Sequence, residues 1–200
     1  MELPQYVERQ PNKMQAPFYL PDAEVPSTLH TNEFTLRMLR ATDVDLDYAA
    51  VMANKDILQH LTHGSWPRED FTIEENLADL EEHEADFLAR RGFTYTVMNP
   101  GETECLGCVY LYPLDFEGTI DGIQKGEGGV WFWVRPRCVN DNLDRRLLTA
   151  LLAWFPAFAS DRIVLHAYAH EAHQLEIFQD AGLHEIASYP TKRGTLQIYR

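Results

Sequence analysis

Five consecutive residues, Val130-Trp-Phe-Trp-Val134, constrain this chain more than any other stretch. All five are large and apolar. A β-strand turns successive side chains to opposite faces, so this run has no face to give to water. Such a strand must lie inside a sheet with other elements packed above and below it. The rest of the chain has to supply those layers.

Upstream, Phe34-Thr-Leu-Arg-Met-Leu-Arg40 alternates and reads as a strand. Thr42 and Asp43 start a helix reaching about Asn54, and a short helical piece is expected over residues 57–61. Thr72-Ile-Glu-Glu75 is a capping box. Ile73, Leu77, Leu80, Phe87 and Leu88 then fall on one helical face. Carboxylates crowd residues 69–86, mostly opposite that stripe, and read as a solvated helix face. Residues 93–98 alternate as a half-buried strand, Asn99-Pro-Gly turns the chain, and residues 105–112 return, with Gly107 marking a bulge.

Downstream of the central run, residues 143–158 carry a helical apolar pattern that Pro156 ends early. A strand over 162–168, a helix over 171–181 stopped by Gly182, and strands over 183–189 and 195–199 follow. The order is β-α-α-β-β-β-α-β-α-β-β. It specifies an α+β, mixed α/β fold: one central, mostly antiparallel twisted sheet with helices on both faces. Residues 1–32 lack periodicity and carry Pro4, Pro11, Pro17, Pro21 and Pro26. They are expected to form an extended arm, with 33–200 as a single domain.

Charge narrows the function. Thirty-one acidic residues against 17 basic ones leave a formal −14, which repels nucleic-acid phosphates and favours cationic partners. No run approaches the roughly 18–20 apolar residues a bilayer span needs, so no membrane partner is expected. The opening MELPQYVERQ offers no apolar leader, which points to a cytoplasmic protein. Cys105, Cys108 and Cys138 suit a reducing compartment. Cys105 and Cys108 have CxxC spacing, but residues three apart on a strand face opposite ways. No metal or redox site is expected there.

The order of elements, with these residues, resembles the GNAT superfamily of acyl-CoA-dependent N-acyltransferases. Residues 34–43 look like its first strand and helix start, and Trp133-Val-Arg-Pro136 like the end of its central strand. Leu143-Asp-Arg-Arg-Leu-Leu148 looks like the start of its cofactor helix. Leu175-Glu-Ile-Phe-Gln-Asp-Ala-Gly-Leu183 looks like its last helix-to-strand segment. The resemblance implies acetyl-CoA as co-substrate and an amine acceptor on a small molecule or a protein; the acidity suggests a cationic one. It places the cofactor against Trp133, Val134, Arg135, Arg137, Val139, Asn140, Asn142, Leu143, Arg145 and Arg146.

Two departures stand out. Val139-Asn-Asp-Asn142 replaces the family's glycine-rich phosphate loop; Asn tolerates the left-handed backbone that glycine would supply. The four arginines read either as altered phosphate contacts or as surface charges around an Asn-capped helix start. Phe178 stands where the family often has a Tyr acid. By resemblance Glu127 is a candidate base, and Tyr168, His170 or His173 can replace the missing phenol. His166, His170 and His173 read as acceptor-pocket lining or as surface histidines, with no metal. Trp131 and Trp133 read as core or as an acceptor wall, and Trp66 as a lid. The expected activity is N-acetyl transfer. The alternative is a catalytically impaired domain that binds CoA weakly or takes another ligand. The closing strands and the arm can support a homodimer.

Overall fold

The central run becomes the last five residues of β5 (Gly128–Val134), and every residue of that strand is buried. The computed structural model describes residues 18–20, 22–116, 119–158 and 160–200. The other strands are β1 (Thr28–His30), β2 (Thr35–Met38), β3 (Phe93–Met98) and β4 (Cys105–Pro113) before β5, then β6 (Ile163–Tyr168), β7 (Glu185–Thr191) and β8 (Gly194–Tyr199). They form one sheet in the order β1-β2-β3-β4-β5-β6-β8-β7. All neighbours are antiparallel except β5 and β6.

Alternation along β5 divides the core. Val130, Phe132 and Val134 join Leu143, Leu147, Leu151 and Phe178 on the face covered by α5 (Leu143–Trp154) and α6 (Ala172–Asp180). Trp131 and Trp133 join Val51, Leu58, Trp66 and Leu80 on the other face. That face is covered by α1 (Val44–Ala53), α2 (Lys55–Leu61) and α3 (Ile73–Leu88). The capping box of α3 forms as its sequence specifies: Glu75 N–H donates to Thr72 Oγ1 at 3.3 Å, and Thr72 N–H to Glu75 Oε2 at 3.0 Å. A short helix α4 (Pro136–Asn140) links β5 to α5.

Three details differ from the sequence expectation. Thr28–His30, inside the segment read as an arm, adds a strand to β2. Phe18 and Tyr19 are buried, with edge-on contacts to Phe93. The arm over residues 1–17 and Pro21 lies outside the described residues. Pro156 does end the α-helix early, and a 3-10 turn continues it to Phe158.

The third difference concerns the cysteines. Cys105 and Cys108 lie in the same core cluster, not on opposite faces. Met98 pairs with Cys105 and Val97 with Gly107, so Leu106 is the extra residue of a bulge and shifts the parity. Gly107 permits this. A Cβ there would lie 2.1 Å from the Trp133 carbonyl oxygen.

Candidate active site

β5 and β6 pair in parallel only from Gly128↔Ile163 to Val130↔Leu165. β5 then continues beside β4 to Val134, while β6 follows β8 to the Tyr168↔Leu196 pair. The strands part and leave a wedge open at their C-terminal ends. Gly128 N–H donates to Arg162 O at 2.8 Å, so the even-numbered residues of β5 turn their N–H groups toward β6. Arg135 N–H donates to Leu106 O at 2.7 Å on the β4 side, consistent with that alternation. Phe132 and Val134 are the even residues past the last paired position. Their amides face the wedge.

Glu171, between β6 and α6, is 5% exposed. Trp131 Nε1 donates to its Oε2 at 3.2 Å, and its Oε1 is buried with no partner. Desolvation pushes the carboxyl up to about 7; the Trp131 bond and a backbone hydrogen bond from Tyr168 oppose the shift without cancelling it. A carboxylate near neutrality with an unused oxygen can accept a proton. The sequence reading missed Glu171. The available signal was its position directly after the strand expected to splay from the central one.

Histidines gather beside it. His170 meets His63 edge-on at 4.8 Å and His60 at 5.7 Å, and Tyr168 stacks on it at 5.5 Å. Burial, then the neighbouring His63 and His60, lower the His170 pKa, so the imidazole is neutral at pH 7. His63 Nε2 lies 2.7 Å from Arg193 O and ties the end of α2 to the β7–β8 turn.

The N-terminus of α5 carries its own anion. Asp144 is 4% exposed. Its Oδ1 accepts Arg145 N–H at 2.9 Å, and its Oδ2 lies 2.6 Å from His173 Nε2. Asn142 adopts the left-handed conformation, φ 58°, that its sequence position suggested. Asn140 does not, because residues 136–140 are helical.

No protein-family description and no curated protein sequence matches the chain. Solved structures do. The microcin C7 self-immunity acetyltransferase MccE, in complex with acetyl-CoA and AMP, superposes with a TM-score of 0.70 at 13% identity, over 88% of this chain and 96% of that one. RimL, the ribosomal L7/L12 alpha-N-protein acetyltransferase in complex with coenzyme A, gives 0.69 at 12% identity, over 86% and 96%. The ribosomal-protein-S5-alanine acetyltransferase from Vibrio fischeri gives 0.66 at 15% identity, over 88% and 95%. The chain has the GNAT fold.

On this GNAT sheet the expected site residues separate into groups. Trp131 meets Glu171, which was not among them, and Tyr168 stacks on His170 past the C-terminal end of β6. Trp133 is buried on the same face as Trp131, and its Nε1 donates to Tyr110 Oη at 3.3 Å. Val134 ends β5, and Leu143 is core. Val139 is half-buried in α4 and Asn140 exposed. His173 pairs with Asp144 at the α5 start.

Glu127 is not at the wedge. It precedes β5 at the end that parallel pairing closes, where its carboxylate accepts from Arg200 at 2.9 Å and from Gln124 N–H at 3.1 Å. Trp66 is not an exposed lid: it is 7% exposed, packs edge-on against Phe71 and donates from Nε1 to Asp79 at 3.2 Å. Phe178 is fully buried between Phe132 and Tyr199, a core position.

The arginines are each engaged within the chain. Arg135 Nε donates to Cys105 O at 2.6 Å, and Arg137 pairs with Glu104 at 2.5 Å. Arg145 bridges to Glu176 at 2.8 Å and Asp180 at 2.5 Å, linking α5 to α6. Arg146 pairs with Glu33 at 2.5 Å.

His166 shares the face of β6 that carries Tyr168, with its Nδ1 sealed from solvent and unpaired. Burial lowers its pKa to about 4. The unfolded chain takes up this proton near pH 6.5 and the folded chain does not. Stability is therefore intact above pH 6.5 and falls as the pH drops, by up to about 3 kcal/mol near pH 4. Thermal melts across that window should show the loss, and His166→Gln should flatten it. An equal slope in wild type and variant would refute this assignment.

Proposed function

We propose that the chain is an N-acetyltransferase that moves an acetyl group from acetyl-CoA to an amine, with Glu171 as general base. One observation carries this: a buried carboxyl near neutrality, with a free oxygen, at the mouth of the only parted strand pair among the described residues. The acetyl thioester enters the wedge, and the Phe132 or Val134 amide polarises its carbonyl. The amine nitrogen forms the new C–N bond as the C–S bond breaks. Glu171 accepts the amine's proton, and the departing thiolate takes one from Tyr168, the phenol beside His170. His60, His63 and His170 line the acceptor side.

The solved neighbours are named as acetyltransferases, and two bind CoA or acetyl-CoA, which supports this donor class. The formal −14 favours a cationic acceptor, on a small molecule or a protein. A specific observation favours a second reading, a weak CoA binder with little activity: Asp144 already fills the α5 N-terminus. Calorimetry with acetyl-CoA, followed by a thiol-release assay over a panel of amines, separates the two. Turnover that falls with rising salt and prefers cationic amines supports the proposal. Binding without turnover of any amine supports the second reading, and no binding at millimolar donor defeats both.

A further inference from the structure

We propose that Asp47, Cys105 and Cys108 form a zinc site beneath the layer of α1, α2 and α3, independent of the acetyl-transfer reading. The bulge at Leu106 turns both cysteines to one face, and α1 presents Asp47 to them. Their sulfurs and a carboxylate oxygen all lie within 4.8 Å of one another. Cys108 Sγ is 3.4 Å from Asp47 Oδ1. A tetrahedral zinc with about 2.3 Å to sulfur and about 2.0 Å to oxygen holds such a pair about 3.5 Å apart. This edge of the cluster already has the spacing of a loaded site.

A buried amide borders the cluster through Asp47. Asn76, 1% exposed, donates from Nδ2 to Asp47 Oδ2 at 3.0 Å, and its Oδ1 is buried without a partner. Three protein ligands leave the fourth position of a tetrahedral ion open. Charge balances locally. Two thiolates, a carboxylate and a divalent ion sum to −1, and the Arg135 guanidinium lies alongside, its Nε holding Cys105 O. Two sulfur ligands select zinc over magnesium or calcium, which prefer oxygen alone. The site would join α1 to β4. Asp47, Cys105 and Cys108 are all at most 3% exposed, so the ion enters as the chain folds.

The test is metal content of the full chain purified from zinc-replete and from cobalt-supplemented medium. One zinc per chain is expected, and the cobalt form should show thiolate-to-cobalt charge transfer and the visible bands of a tetrahedral site. Both should disappear in Cys108→Ser and persist in Cys138→Ser, whose thiol lies in the other core cluster. If Cys108→Ser fails to fold, Cys105→Ala with Cys108→Ala replaces it, since alanine suits an apolar core. Metal-free wild type, or metal retained by the double variant, overturns the proposal.

Discussion

Glu171→Gln should lower acetyl transfer by about 10²–10⁴-fold, the usual contribution of a positioned base. The same change should stabilise the fold at alkaline pH, and the pairing of the two effects is diagnostic. In the wild type, burial raises the Glu171 pKa from 4.5 to about 7. The neutral acid fits the folded chain; the carboxylate does not. Stability is unaffected below pH 4.5, declines as the pH rises toward 7, and above that is lower by about 3 kcal/mol. Glutamine cannot ionise, yet still offers Trp131 Nε1 an oxygen. At pH 8 the variant should melt higher than wild type, and at pH 4 the two should coincide. Wild-type kcat/KM should rise with pH through about 7 as the base deprotonates. Full activity in the variant, or a rate profile flat through that region, would remove Glu171 from the mechanism.

The second large effect runs the other way. Asp144→Gly should tighten CoA binding by about tenfold or more, measured by calorimetry at low salt. The Asp144 carboxylate holds the N–H of Arg145 and the positive end of α5, the groups a phosphate would use. Two unit charges 4 Å apart repel by about 4 kcal/mol at a partly screened site, and a third of that is already tenfold in affinity. The cost should appear as lower stability, because a buried, hydrogen-bonded helix-start carboxylate is lost; about 1–2 kcal/mol is expected. His173→Ala should not tighten binding, since it leaves the carboxylate in place. Unchanged or weaker CoA binding by Asp144→Gly would show that the donor's phosphates lie elsewhere.

The GNAT fold was legible because its signals are local. Val130–Val134 announces a covered strand, Thr72 and Glu75 announce a helix start, and both formed as their chemistry requires. Candidate site residues were harder. Glu127 looked suitable by its distance along the chain from the central strand, but parallel pairing closes that end of β5, and Arg200, from the last residue, claims its carboxylate. Trp66 sits within a turn-like Ser-Trp-Pro and reads as a lid, yet Asp79, on the next helix, satisfies its indole. The arginines between residues 135 and 146 read either as a phosphate cradle or as surface charges around a helix start. Their partners Glu33, Glu104, Glu176 and Asp180 are distant in sequence, and only folding brings them there.

The sequence by itself determined the layers: periodicity, caps and turn residues act within a few positions and need no distant partner. Tertiary structure alone decided the chemistry. Glu171 is an ordinary acidic residue until Trp131 and the parted strands bury it, and Asp144 an ordinary first-turn carboxylate until His173 arrives from the next helix. Cys105 and Cys108 face apart on a regular strand and together on a bulged one. In each case the deciding quantity is desolvation or a contact across long sequence separation, and neither is written in local pattern.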